Sequence, residues 1–219
     1  MIPLGEDRPA PIFPLVTHAL IAANAIGFYF ELTSASPDRF IAAFATIPYD
    51  IQHHIALAPP SPPDAYLTLL TSQFMHASTF HLVSNMLFLY VFGPKIEYAC
   101  GGARFLAFYL ICGVLGNVAQ VTMTAGSHVP AIGASGAIAG VLGAFAVSFP
   151  TRPIFARIPA IFIIGIWAVT QFVHGLGTIA PDALSERGGG IAYFTHMGGF
   201  LAGVFLIGLF RSRVRRHYA

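Results

Sequence analysis

Long apolar runs separated by short polar connections make up most of this chain. A hydrocarbon layer of about 30 Å asks for roughly 17 to 25 apolar residues in helical form. Six stretches meet or approach that length: Pro14 to Phe30, Phe80 to Ile96, Phe105 to Thr124, Ile132 to Phe149, Ile158 to Val173 and Ala192 to Phe210. Charge is confined to their margins, Lys95 standing one residue inside the end of the second. The pattern predicts an all-α membrane protein, a bundle of six transmembrane helices in one domain spanning residues 14-210. Residues 1-13 form a short leading segment and residues 211-219 a basic tail. The longest connection, residues 31-79, is Pro-rich and too long for a plain turn. Within it, Phe40, Ile41, Phe44 and Ile47 recur at helical spacing, so Asp38 to Ile47 is expected as an amphipathic piece at the interface. Such a piece either covers the bundle or shapes access to a site.

Composition agrees with a bilayer as solvent: 56% of residues are hydrophobic, 9% are charged, and the mean hydropathy is +0.72. Positive charge sets the orientation, because Lys and Arg are retained on the cytoplasmic side of short loops. Both termini cytoplasmic puts Arg8, Lys95, Arg104, Arg152, Arg157, Arg211, Arg213, Arg215 and Arg216 inside and only Arg39 and Arg187 outside. The terminal Arg-Ser-Arg-Val-Arg-Arg then reads as an anchor on membrane lipid and not as a nucleic-acid tail. The first residues lack the basic start and cleavage site of a signal peptide, so the first span is expected to be retained. Cys100 and Cys112 are the only cysteines, which leaves no disulfide framework.

Polar residues inside the spans carry the chemistry. Spans two, four and six all start on the external side, with His81 and Asn85 near the start of span two, Ser135 at the start of span four and His196 near the start of span six. A rise of about 1.5 Å per residue puts all of them roughly 5 to 10 Å into the membrane. His81 and Asn85, four residues apart, share a helix face. Glycines on the same helices, Gly133, Gly136 and Gly140 around Ser135 and Gly199 and Gly203 beyond His196, form small-xxx-small rows that let helices approach closely. Each polar residue alone could be helix glue. Together, two histidines, an amide and a glycine-flanked serine at one depth are what a Ser/His nucleophile pair with oxyanion donors requires. Every Asp and Glu falls outside the spans, so a triad acid is missing and a dyad is expected, its histidine oriented by packing. A metal centre is disfavoured because two histidines lack a third ligand and there is no H-E-x-x-H helix. No metal and no cofactor are expected.

The segments Phe80-His81-Leu-Val-Ser-Asn85, Gly133-Ala134-Ser135-Gly136 and His196-Met-Gly-Gly199-Phe-Leu-Ala-Gly203, in that order, resemble the rhomboid intramembrane serine proteases. The resemblance implies a rhomboid-like six-helix bundle in which Ser135 is the nucleophile and His196 its base. It also implies that His81, Asn85 and the backbone N–H of Ser135 form the oxyanion hole. His76 resembles an additional loop histidine of the family and Glu97 an acidic residue at the cytoplasmic end of span two, both structural. Two positions depart from the pattern: Tyr66-Leu67-Thr68 lacks the Trp-Arg of many members, and Ala139 replaces a tyrosine that packs under the base in some. Tyr193 and Phe194 are the aromatic candidates for holding the His196 ring instead. The implied partners are single-span transmembrane protein substrates, entering past span five with Trp167 and Phe172, with the Gly175 to Gly190 loop as a cap. The compact layout suggests a prokaryotic inner membrane. The competing readings are an inactive rhomboid-like protein that binds membrane clients, and a small transporter, for which His18 is the isolated relay candidate.

Overall fold

The computed structural model describes residues 13–55, 61–155, 158–177 and 192–212. The leading segment up to residue 12, Arg157, most of the Gly175 to Gly190 cap and the tail from Arg213 onward lie outside the described residues. In chain order the helices are α1 (Leu15–Thr33), α2 (Pro37–Phe44), α3 (Pro48–Gln52), α4 (Thr68–Thr71), α5 (Thr79–Cys100), α6 (Gly102–Met123), α7 (Ser135–Ser148), α8 (Ala160–Gly177) and α9 (Tyr193–Phe210). A two-stranded antiparallel ribbon, β1 (Pro153–Phe155) with β2 (Ile158–Pro159), joins α7 to α8.

Among the described residues, α1, α6 and α9 are long and apolar enough to cross a membrane. Helix α5 has 22 residues, with Lys95 and Glu97 in its last turns. Its first turn is capped by Ser78, whose side chain accepts from His81 N at 3.1 Å. Gly101, at φ 87°, is the single residue between α5 and α6, a left-handed position that favours glycine. The fourth apolar run differs from expectation: the helix starts at Ser135, not Ile132, and its 14 residues make it only about 21 Å long. It tolerates that length because it is the centre of the bundle. Every residue from Gly136 to Ala146 is buried, with α5, α6, α8 and α9 packed around it.

Two glycine rows bring α7 and α9 together. A side chain at Gly199 would run into the backbone of Gly136, and one at Gly203 into the backbone of Gly140. The core around them is filled by Leu89, Phe105, Phe108, Tyr109, Leu142 and Phe145, all essentially inaccessible. The periphery is apolar as well, Phe80 being 82% and Leu209 78% exposed, as a hydrocarbon surround permits.

The 31-79 connection is a packed substructure. Its amphipathic helix α2 ends at Phe44, earlier than the expected Ile47, because Thr46 leaves the helix to pair with Ala131 in the segment before α7. Thr46 Oγ1 donates to Thr68 O at 2.9 Å, and Asn117 on α6 donates to Leu69 O and to Ser72 Oγ at 2.8 and 2.9 Å. At the other end of the bundle, Glu97 accepts from Val16 N, Thr17 N and Thr17 Oγ1 at 2.9, 2.7 and 2.7 Å. A carboxylate on α5 thus caps the start of α1 and anchors it.

Candidate active site

The chain reverses into α7 through Gly133, whose φ of 124° lies in the region that favours glycine. The turn is held from outside by Gly133 N donating to Ser72 O at 2.9 Å. A side chain at Gly133 would meet His81 Cε1 at 2.8 Å, His81 Nε2 at 2.9 Å and Ser135 Oγ at 3.5 Å, so the histidine edge and the serine hydroxyl border one small space. Ser135 is the first residue of α7, where backbone N–H groups find no carbonyl within the helix. The helix dipole adds a positive potential there.

His196, in the first turn of α9, faces Ser135 with Nε2 2.8 Å from Oγ. The close α7 and α9 contact that the glycines permit carries this distance. Asn85 is 8% exposed, and its Nδ2 has no hydrogen-bond partner among the described residues. His81, Asn85, Ser135 and His196 all line one cavity of about 670 Å³, with Phe80, Phe88, Ile138, Leu142 and Trp167 supplying apolar walls. The structure therefore brings together the four side chains that the sequence singled out. Ile41 of α2 also lines this cavity, so the amphipathic piece both covers the bundle and borders the site.

The surroundings of His196 contain what sequence reasoning missed. Its Nδ1 lies 2.7 Å from Oε1 of Gln171 on α8, and its ring sits 5.9 Å from that of Trp167. The histidine is thus held by a side-chain amide as well as by packing. Tyr193 does not take that place, its ring stacking on His174 at 5.5 Å. Gln171 and Trp167 are four residues apart, and a polar residue one turn from an aromatic in an apolar helix was the available signal.

His76 is fully buried before α5, its backbone N donating to Glu31 Oε2 at 3.1 Å and its ring edge-on to His81 at 5.0 Å. Burial holds its imidazole down to about 3, with His81 nearby as a lesser cause, so it packs as a neutral ring against His81. His18 is stacked on Phe13 at 4.8 Å and edge-on to Tyr90 at 6.1 Å, its Nδ1 2.8 Å from Pro14 O, which makes it a packed residue. Cys100 and Cys112 are both free and buried. Among the described residues no cluster of three His, Cys, Asp or Glu side chains is arranged to hold a metal ion.

The fold and cavity define a helical integral membrane protein with a serine and a histidine in contact beneath one face. Residues 63–213 match the rhomboid domain, and the chain belongs to the rhomboid family. It is 36% identical over 146 residues to the mitochondrial presenilin-associated rhomboid-like protein of Rattus norvegicus, covering 64% of this chain and 37% of that one. It is 35% identical over 139 residues to rhomboid protease GluP of Bacillus subtilis, covering 63% and 24%. Rhomboid protein 1, mitochondrial, of Saccharomyces cerevisiae is 30% identical over 147 residues, covering 63% and 40%. The chain thus spans well under half the length of these relatives. The mitochondrial names run against the expectation of a specifically prokaryotic inner membrane.

Proposed function

We propose that this protein is an intramembrane serine endopeptidase acting on single-span transmembrane proteins. The observation that carries the reading is the 2.8 Å contact between Ser135 Oγ and His196 Nε2 at the wall of a largely apolar cavity. In this reading His196 takes the serine proton as Oγ attacks the scissile carbonyl, then returns it to the leaving amine, and water hydrolyses the acyl-enzyme. The unpaired Asn85 Nδ2, His81 and the backbone N–H of Ser135 receive the oxyanion. The apolar walls supported by Phe80, Phe88 and Trp167 suit a segment drawn from the hydrocarbon layer. A relative named as a rhomboid protease supports the reaction class. The domain proposed is residues 14-210 with six spans, the tail 211-219 and both termini on the cytoplasmic side.

The test is reconstitution of the wild type, Ser135→Ala and His196→Ala in lipid vesicles with a single-span substrate, together with a fluorophosphonate probe. Cleavage and labelling are expected in the wild type alone. Equal cleavage by Ser135→Ala would remove the catalytic assignment, and capture of the substrate without cleavage by any of the three would leave a client-binding protein.

A further inference from the structure

His196 is engaged at both ring nitrogens, one facing Ser135 and the other facing Gln171 of α8. The direction of the protons follows from the far end of the amide. Thr170 Oγ1 donates to Trp167 O at 2.7 Å, which leaves that hydroxyl oxygen to accept from Gln171 Nε2 at 3.3 Å. The amide therefore turns its NH2 group toward Thr170 and its carbonyl oxygen toward the imidazole. A carbonyl oxygen only accepts, so His196 Nδ1 carries the proton, Nε2 presents its lone pair, and the Ser135 hydroxyl donates to it.

We propose that Gln171 is a positioning residue of this site: it selects the Nδ1–H tautomer of His196 and aims Nε2 at Ser135. The proposal rests on the Ser135/His196 reading above. It accounts for the absence of an acid behind the histidine. A carboxylate at this depth is an unpaired charge in a medium that penalises it heavily, whereas an amide supplies the same acceptor without charge. The interaction also joins the base to α8, which leans on α9 and α7 and makes little contact with α5. A shift of α8 away from α9 therefore separates the base from its orienting group.

The experiment uses the full chain in lipid vesicles as wild type, Gln171→Leu, Gln171→Glu and Ser135→Ala. The rate of fluorophosphonate labelling is followed from about pH 5 to 9, and kcat and KM are measured on a single-span substrate. Leucine keeps the volume and removes the acceptor, so labelling and kcat are expected to fall about ten- to a hundredfold with KM nearly unchanged. Glutamate keeps the acceptor and adds a charge that stabilises the imidazolium. It should restore labelling at high pH while moving the acidic limb of the profile upward. His81 on α5, the other titratable group lining the cavity, and His174 on α8, bonded to Thr170 O, are unchanged in every variant. Wild-type rate and profile in Gln171→Leu would overturn the proposal while leaving the protease reading intact. Equal losses in the Leu and Glu variants would also overturn it, by making Gln171 a packing residue. Wild type labelled no faster than Ser135→Ala would overturn both.

Discussion

Asn85 is a buried amide donor with nothing to donate to among the described residues, and such a group ordinarily costs about 1 to 3 kcal/mol. On the proposed reading, a transition-state oxyanion is the partner that makes the cost intelligible. Asn85→Ala is therefore expected to lower kcat by roughly a hundred- to a thousandfold with little change in KM, read from steady-state cleavage of a membrane substrate. A fall confined to KM would instead mark Asn85 as a substrate-binding group. At this scale much was legible. Ser135, His196, His81 and Asn85 stood out because polar residues in apolar runs need partners, and matched depth on alternate spans left one another as the partners. The pairing of Gln171 with His196 was not legible: the two are 25 residues apart, and no spacing rule links the fifth stretch to the sixth. Only the packing of α8 on α9 decides that its amide faces the imidazole.

The pair of helices α7 and α9 shows how element packing carries the distance between Ser135 and His196. At Gly203 an added methyl group would have to push apart two backbones. Gly203→Ala is accordingly expected to cost about 1 to 3 kcal/mol in a detergent denaturation titration. It should also slow Ser135 labelling, because α9 carries His196 away from α7 as it moves. Unaltered stability together with unaltered labelling would show that the contact relaxes without displacing the base. The glycine rows could be read in the sequence as packing faces, yet the start of α7 could not. Hydropathy counts Ile132, Gly133 and Ala134 into the apolar run, whereas the bridge of Thr46 with Ala131 and the positive φ of Gly133 hold that stretch out of the helix. The consequence is that Ser135 becomes the first residue of α7, where its backbone N–H has no carbonyl partner within the helix.

For the molecule as a whole, the 31-79 connection is a clamp. Ser72 accepts from Gly133 N, Thr46 pairs with Ala131, and Asn117 ties the loop to α6, so this connection holds the turn that delivers the serine. Helix α8 stands apart from this framework and makes little contact with α5, and on the proposed reading the gap between the cavity walls of Phe88 and Trp167 is a lateral opening. A covalent cross-link between α5 and α8 across that opening is expected to abolish cleavage of a single-span substrate in vesicles while leaving fluorophosphonate labelling of Ser135 intact. Undiminished cleavage under the cross-link would show that substrates arrive from the external face.

By itself the sequence determined the solvent, the apolar runs, the glycine rows and the four polar residues of the site, because each of these follows from composition or from spacing along one helix. Tertiary structure alone decided where α7 begins, how the 31-79 connection clamps that start, and that an amide on α8 completes the environment of His196. Those features are contacts between segments far apart in the chain. Their energy comes from burying and pairing groups on different elements, and no local periodicity records which element will be opposite.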